Sequence, residues 1–364
     1  MSRKANREVP KLRFSEFEGD WQYKTVQDIS KKVSSGSSKV TREVGRYPVY
    51  GSTGIIGKSE QGGYSGEAIL IARVGANAGK ISLVDGVYGV TDNTIIVVLD
   101  KSNNISFFKS QLEIKRLNSM VFGSGQPLIT GTQIKSLKIA FPSIAEQEKI
   151  ASFLGAIDTR LTQLRRKHEL LQTYKRGVMQ KLFSQQIRFK GDDGKPFPDW
   201  ETTLVRDIAT NISSGRSKAS KDFGNYPVYG STGIIGKSET GDYSGESILI
   251  ARVGANAGKI SFVSGVYGVT DNTIIVNTIS SYNIHLLRIQ LEMKRLNSMV
   301  FGSGQPLITG TQIKKLQLVC PKSIEEQEKI ANFLTAIDHK FEAVAKQIDL
   351  TERFKKGLLQ KMFV

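Results

Sequence analysis

The chain has 364 residues, with 51 Lys and Arg against 34 Asp and Glu, and a formal net charge of +17 at pH 7. A chain of this length exceeds what one hydrophobic core normally organises, so we expect two or more domains. Its apolar runs are well short of the ~20 residues that a membrane-spanning helix needs, and its N-terminal stretch has no apolar segment typical of a secretory signal. We therefore expect a soluble, cytoplasmic protein without membrane attachment.

The positive charge indicates a polyanionic partner, since a basic protein of this kind usually faces nucleic acid. It is not confined to a tail, because residues 1–145 carry +8 and residues 184–325 carry +4. The single cysteine, Cys320, excludes an intramolecular disulfide, and with three histidines it leaves no cluster with zinc-ligand spacing. The composition favours nucleic-acid binding over the alternative of lysines kept only for solubility.

The chain contains an internal repeat, in which a globular segment is followed twice by a helical segment. The copies align at an offset of 179 residues, and the 21 residues from Lys115 to Lys135 recur unchanged from Lys294 to Lys314. We predict four segments from this alignment: globular segments at 1–145 and 186–325, and helical segments at 146–185 and 326–364.

Each globular segment is predicted to be rich in strands. The blocks YPVYGSTGIIGKSE, ILIARVGANAGKIS and GVYGVTDNTIIV, which begin at Tyr47, Ile69 and Gly86, recur in the second copy. Short β-branched runs alternate in them with Gly, Ser and Asn, which is typical of strands joined by tight turns. One helix is expected near 107–117, and the later stretch GSGQPLITGTQIKSL is interpreted as a turn that leads into the last strands.

Each helical segment carries a coiled-coil stripe, with apolar residues at steps of four and three. Lys175 and Lys355 interrupt the stripe, and we expect Tyr174 and Phe354 to fill the gap. A helix of ~38 residues is ~57 Å long and cannot bury its stripe alone, so the two helices are expected to pair. Because the globular segments are rich in strands, the predicted fold class of the whole chain is α+β. The stripe residues are Ile150, Leu154, Ile157, Leu161, Leu164, Leu171, Val178 and Leu182 in the first copy, and Ile330, Leu334, Ile337, Phe341, Val344, Ile348, Leu358 and Met362 in the second.

Catalytic motifs are poorly matched. The segment VGANAGKIS has three residues instead of four before Gly-Lys, and Ile81 instead of Ser or Thr after it, so it departs from a phosphate-binding loop. The FGSG turns at 122–125 and 301–304 lack the strand–helix context of a dinucleotide site. A metal-dependent endonuclease that uses Asp92, Glu113 and Lys115 stays open as an alternative, as does a repeat protein of phage or surface assembly that does not bind DNA.

The globular segments instead present Arg, Lys and Asn in loops rich in glycine. Arg and Lys match the two major-groove acceptors of guanine, Asn can pair with adenine through two hydrogen bonds, and glycine lets a backbone approach closely. These residue types therefore suit base and phosphate recognition. The candidate DNA-binding residues are Lys58, Arg73, Asn77, Lys80 and Asn93 in the first copy, and Lys237, Arg252, Asn256, Lys259 and Asn272 in the second.

The whole arrangement resembles the specificity subunits of type I restriction-modification systems. The resemblance lies in the domain openings LRFSEFEGDW and IRFKGDDGKPFPDW, in the domain closings that end in EQEKIASFL and EQEKIANFL, and in the helix ends KRGVMQKLF and KKGLLQKMF. It implies two target-recognition domains separated by two long helices that form an antiparallel coiled coil. Each domain would recognise half of a split sequence in double-stranded DNA.

The resemblance further implies that this chain is not an enzyme and holds no cofactor or metal. Two modification subunits would methylate DNA with S-adenosylmethionine, and restriction subunits would use ATP and magnesium. Members usually carry two different recognition domains, whereas here they nearly coincide, so we expect an interrupted inverted repeat with one methylated adenine in each half. Differences at predicted loop positions could relax recognition of one half, and examples are Gln61 against Thr240, Gly63 against Asp242 and Asp85 against Ser264.

Overall fold

The structure is a computed structural model that describes residues 9–40, 44–120, 127–220, 224–300 and 306–364. The chain divides into two compact units. Unit 1 combines Met1–Lys167 with Ala345–Val364, and unit 2 consists of His168–Val344. Each unit therefore contains one globular segment together with part of both long helices.

The strands of unit 1 are short. They are β1 (Gln22–Thr25), β2 (Ser30–Ser35), β3 (Tyr47–Gly51), β4 (Gly54–Ser59), β5 (Tyr64–Ser65), β6 (Ala68–Ala72), β7 (Ile81–Val84), β8 (Val87–Val90), β9 (Thr94–Leu99) and β10 (Lys138–Phe141). The helices are α1 (Ile105–Ile114), α2 (Gly131–Lys135) and the first part of α3 (Ile144–Phe183), which the last part of α6 (Ile324–Met362) joins.

Two four-stranded sheets form the framework of unit 1. One has the order β2-β9-β6-β7 and is antiparallel, the other has the order β4-β3-β8-β5 with β3 parallel to β8, and β1 pairs separately with β10. Strand β6 is buried along its whole length because both of its faces are covered. Ile69 and Ile71 pack in the core that contains α1, whereas Ala68 and Leu70 pack with Tyr88 from the second sheet.

The long helices contribute to the core of unit 1. Ile150 and Leu154 of α3 pack in the same cluster as Leu358 and Met362 of α6. The side chains of the predicted stripe are buried or half-buried throughout both helices, which confirms the helical interpretation. Within unit 1 the segments run antiparallel, since contacts that advance along α3 retreat along α6.

The expectation that Tyr174 and Phe354 fill the gap in the stripe is wrong, because these side chains are 53% and 57% exposed. Lys355 stays in the stripe with only 15% of its side chain exposed, and its ammonium lies 2.7 Å from the carboxylate of Asp158 in unit 1. Lys175 takes the equivalent place in unit 2 and is paired with an aspartate of α6. A lysine stem can cover apolar surface while its charged end reaches a partner. The gap is therefore closed by an ion pair and not by an aromatic ring.

A buried carboxylate fastens the start of α3 to the globular part of unit 1. Glu146 is 1% exposed, and Arg13 donates to its two oxygens at 2.8 and 2.7 Å. The indole of Trp21 donates to the same carboxylate at 3.3 Å. The neighbouring Gln147 accepts from the backbone amide of Asn104 at 3.0 Å, so two adjacent polar side chains of α3 are consumed in this attachment.

Unit 2 repeats this architecture with the same strand orders and registers. Its core differs from that of unit 1 at some positions. Ala68 and Val98 of unit 1 correspond to Ser247 and Asn277, and the Asn277 amide donates to the Ser247 hydroxyl at 2.6 Å. Its elements are β11 (Glu201–Leu204), β12 (Ala209–Ser214), β13 (Tyr226–Gly230), β14 (Gly233–Ser238), β15 (Tyr243–Ser244), β16 (Ser247–Ala251), β17 (Ile260–Val263), β18 (Val266–Val269), β19 (Thr273–Thr278), α4 (Ile284–Met293), α5 (Gly310–Lys314), β20 (Gln317–Cys320) and the remaining parts of α3 and α6.

Candidate nucleic-acid interface

One end of the unit 1 strands carries a group of loops that we call the rim. Strands β2, β3, β6 and β8 end at the rim, and β4, β7 and β9 begin there. The Arg73 amide donates to the Asn93 carbonyl at 2.9 Å, and the Thr91 amide donates to the Tyr50 carbonyl at 3.0 Å. Loops from separate blocks of the sequence therefore form one surface. The rim of unit 1 consists of residues 51–54, 73–80, 91–93 and 116–120, and that of unit 2 of residues 230–233, 252–259, 270–272 and 295–299.

The loop from Arg73 to Lys80 is a tight turn that needs glycine. The Lys80 amide donates to the Asn77 carbonyl at 2.9 Å, and the Gly79 amide donates to the carbonyl of the last residue of β6 at 2.8 Å. Gly79 has a φ of +88°, and a Cβ there would lie 2.5 Å from the backbone nitrogen of Asn118. A side chain would therefore collide with the 116–120 segment, which shows that these two rim loops pack directly on each other.

Arg73 is held only weakly by its neighbours. Its Nη1 donates to the Ser35 hydroxyl and to the Asp92 backbone carbonyl, each at 3.4 Å. Neither acceptor is a carboxylate, and the buried Nε of Arg73 has no hydrogen-bond partner among the described residues. The positive charge of this guanidinium is therefore available to an anionic ligand.

The structure brings four of the five unit 1 candidates together and separates the fifth. Lys80 is exposed and lines a cavity of about 20 Å³ against the β3–β4 turn. Asn77 is half-buried and Asn93 is exposed, and both lie on the rim with Arg73. Lys58 instead lies on β4, four positions beyond its first residue, which is about 13 Å along the strand from the rim.

Unit 2 reproduces this arrangement. The Arg252 amide donates to the Asn272 carbonyl at 2.9 Å, and the Lys259 amide donates to the Asn256 carbonyl at 2.8 Å. The guanidinium of Arg252 makes the same two long contacts as in unit 1, at 3.4 and 3.5 Å. Lys237 lies on β14 and is again separate from the other four.

One cation of the rim was not assigned from the sequence. Arg116 is exposed and has a φ of +47°, a left-handed conformation that is uncommon for residues other than glycine. Its counterpart Arg295 has a φ of +48°. Backbone strain of this kind persists only where the surroundings enforce it. Here the Ser119 amide and hydroxyl both donate to the Arg116 carbonyl, at 2.7 and 2.8 Å. The sequence feature that could have identified Arg116 is the block from Lys115 to Lys135, which contains it and recurs unchanged in the second copy.

The residues of the endonuclease alternative have other partners. The Glu113 carboxylate lies 2.6 Å from the Lys109 ammonium and 3.6 Å from that of Lys355. Lys115 is the C-terminal cap of α1, whereas Asp92 lies on the rim. Over the ranges that the structure describes, no group of three or more His, Cys, Asp or Glu side chains could hold a metal ion. The geometry there offers this alternative no metal site.

The FGSG turns at 122–125 and 301–304 lie outside the described residues. Among the helices in the described ranges, none is both long and apolar enough to cross a membrane.

The sequence matches the family model described as a type I restriction modification DNA specificity domain. It does so twice, over residues 18–172 and 198–352. The chain belongs to this family. Each match covers a globular segment and most of the helix after it, so the repeat seen in the sequence is a repeat of the whole specificity domain.

Curated relatives that this chain matches are named as specificity subunits. The type I restriction enzyme MjaVIII specificity subunit of Methanocaldococcus jannaschii is 24% identical over 80% of this chain and 77% of the relative. A putative type I specificity subunit of Mycoplasma pneumoniae is 23% identical over 94% of this chain and 96% of the relative.

Solved structures show the same fold at lower identity. The S subunit of a type I restriction-modification system from M. genitalium matches with a TM-score of 0.75 at 19% identity, over 98% of this chain and 99% of that chain. A chain from a study of complex assembly and conformational transition of the type I system matches with a TM-score of 0.52 at 15% identity, over 94% and 97%. The α+β fold with two strand-rich domains and long helices is thus a shared fold.

Proposed function

We propose that this chain is the DNA-specificity subunit of a type I restriction-modification complex and that each unit recognises one half of a bipartite target. The duplicated rim supports the proposal most directly. Arg73, Asn77, Lys80 and Asn93 recur in unit 2 with the same backbone hydrogen bonds. Arginine, lysine and asparagine at such loops match the donor and acceptor pattern of the major groove.

We propose in addition that both halves of the target carry the same bases. The four rim loops of unit 1 are identical in sequence to those of unit 2, whereas the segment that follows β2 at the same strand ends differs, with Ser37 in unit 1 and Arg216 in unit 2. Among the pairs that differ, Gln61/Thr240 and Gly63/Asp242 lie between β4 and β5 or their counterparts, and Asp85/Ser264 lies between β7 and β8 or their counterparts, at the opposite strand ends from the rim. If a two-fold axis relates the units, as the family resemblance implies, the target is an interrupted inverted repeat with one methylated adenine in each half.

Methylation and cleavage would be performed by partner subunits, and this chain would hold no cofactor. Two modification subunits would use S-adenosylmethionine, and restriction subunits would use ATP and magnesium. In support of two equivalent docking sites, Leu170 and Tyr174 of α3 are 52% and 53% exposed and lie one helical turn apart. Leu350 and Phe354 of α6, at equivalent repeat positions, are 53% and 57% exposed. Such a complex would assemble in the cytoplasm, where the DNA is.

Mapping of methylated adenine in cells that express the chain with its modification subunits tests this function. We expect a gapped motif whose halves are inverted copies, and we expect DNA affinity to fall by decades between about 50 and 200 mM salt. Halves that are unrelated or directly repeated would overturn the inverted repeat. Affinity that does not change with salt, or methylation that does not depend on the chain, would overturn DNA specificity itself.

A further inference from the structure

The tip of the β3–β4 hairpin exposes an isoleucine directly after the turn that shares a cavity with Lys80. Ile55 is the second residue of β4, and 63% of its surface is exposed. Its counterpart Ile234 on β14 is also 63% exposed. The next residue, Ile56, is 43% exposed but packs over Gly51, where a Cβ would lie 2.9 Å from its Cδ1. Ile55 is thus more exposed than its neighbour Ile56, and its counterpart in unit 2 is equally exposed.

The surroundings of Ile55 indicate what it contacts. Strand β4 is the edge of its sheet, and an exposed apolar residue on an edge strand favours unwanted association. Lys80 lines the same cavity as the turn that precedes Ile55, and Arg73 lies on the adjoining loop. An apolar protein surface would offer these cations no anionic group, so it does not match this part of the rim. Duplex DNA offers them phosphates and also presents one apolar group on its major-groove edges, the methyl group of thymine.

We propose that Ile55 and Ile234 each contact the C5 methyl group of a thymine in the major groove, one in each half-site. The proposal rests on the DNA-specificity function given above. The major groove admits a two-stranded β-ribbon, and β3–β4 is such a ribbon at its tip. Isoleucine has no hydrogen-bonding atom, so it distinguishes thymine from cytosine only through the methyl group. Its branched Cβ restricts χ1, which gives the contact a fixed shape.

The test removes the methyl group from the DNA and its partner from the protein. Binding of the full chain with its modification subunits is measured on duplexes that carry the mapped target, with each half-site thymine replaced in turn by deoxyuridine. At one thymine position the replacement is expected to weaken binding about four-fold per half-site, or about 16-fold when made in both, which is the equivalent of burying one methyl group each time. In a variant with Ile55→Ala and Ile234→Ala, the same replacement is expected to have no effect.

A variant with Val87→Ala and Val266→Ala is the matched control. These valines are 43% and 45% exposed and begin the strands that end at the rim, so the variant should keep the full deoxyuridine effect. The midpoint of thermal unfolding checks that the isoleucine variant folds. A deoxyuridine effect that survives in the isoleucine variant, or a target in which no thymine methyl group matters, would overturn the proposal. Failure of the unaltered complex to bind its mapped target would count against the proposed function instead.

Discussion

Glu326 is the buried charge on which the attachment of α6 to unit 2 depends, and its replacement by glutamine should destabilise that unit strongly. The side chain is 0% exposed. Arg188 donates to its two oxygens from Nε at 3.1 Å and from Nη2 at 2.9 Å, and the Trp200 indole donates at 3.1 Å. The hydrogen bond to Glu326 raises the pKa of Arg188 above its usual value, so the arginine stays charged at any accessible pH.

Glu326→Gln leaves that charged guanidinium facing a neutral amide. Removing one partner of a buried ion pair costs about 3–5 kcal/mol, and glutamine keeps one acceptor, so we expect a loss of about 3 kcal/mol. For a unit of this size each kcal/mol lowers the midpoint of thermal unfolding by about 2–4 °C, which predicts a fall of about 6–12 °C. Scanning calorimetry of the full chain measures it.

Two comparisons make this test specific. Glu328→Gln changes the same charge two residues further along α6, where the side chain is exposed, and should alter stability by less than about 0.5 kcal/mol. Replacing Arg188 and Glu326 together by leucine removes both charges and should recover part of the loss. If the midpoint of thermal unfolding of the Glu326→Gln variant lies within about 1 °C of that of the unaltered chain, the buried ion pair does not stabilise unit 2 as its geometry suggests.

Deleting residues 161–167 and 341–347 removes one heptad from each long helix, and should shorten the gap in the methylated motif by about three base pairs, since seven helical residues span about 10 Å. Arg73→Ala is expected to weaken methylation directed by one half-site, and addition of Arg252→Ala to weaken both, as scored by methylated-adenine mapping. Lys355→Met takes the ammonium from between two carboxylates and is expected to lower the free energy of unfolding by about 2 kcal/mol in urea titration.

Each of these outcomes has a clear opposite. An unchanged gap would show that the helices do not set the spacing of the half-sites. An equal loss of methylation from Lys58→Ala with Lys237→Ala, which removes the same charge away from the rim, would show that position on the rim is unimportant. A similar loss of stability from Lys356→Met, at an exposed neighbouring position, would remove the significance of the ion pair at Lys355.

The architecture was predictable because it depends on periodicity and repetition. Heptad steps place the stripe on one face of each helix whatever the neighbours are, and the two copies of each strand and turn block define the same domain twice. The interruption at Lys355 was not predictable, because a pattern of apolar letters does not show which side chain of the facing helix segment can receive the ammonium. Asp158, 197 residues earlier in the chain, became its partner only through folding.

The candidate site was predicted in part. Arg73 and Lys80 belong to one Gly-rich turn and Asn93 belongs to the Thr-Asp-Asn turn, and both turns lie at the same strand end in the fold. Lys58 has the same chemistry but lies in mid-strand. Its position follows from the register of the β3–β4 hairpin, which composition alone does not reveal. The segment interpreted as a turn before the last strands contains α2, whose start is fixed by reciprocal capping between Thr130 and Gln133. That Thr-x-x-Gln pattern was present in the sequence, and it favours the start of a helix more strongly than the nearby glycines favour a turn.

Unit 1 is completed by the last 20 residues of this sequence. Phe363 lies 5.3 Å from Phe107 and 6.1 Å from Trp21 between ring centroids, and the Leu12 amide donates to the Lys361 carbonyl at 2.8 Å. During synthesis the second unit, which is continuous in sequence, is therefore available to fold before the first can close its core.

We therefore expect unit 2 to fold first, the reverse of the usual order in which N-terminal domains fold first on the ribosome. Nascent chains arrested soon after residue 344 has emerged should protect unit 2 from proteolysis while unit 1 stays sensitive, and equal protection of both would refute this order. A chain that loses its final helical turns would keep every rim residue and still lack a closed first unit. The core of the domain that is translated first therefore depends on the helix that is translated last.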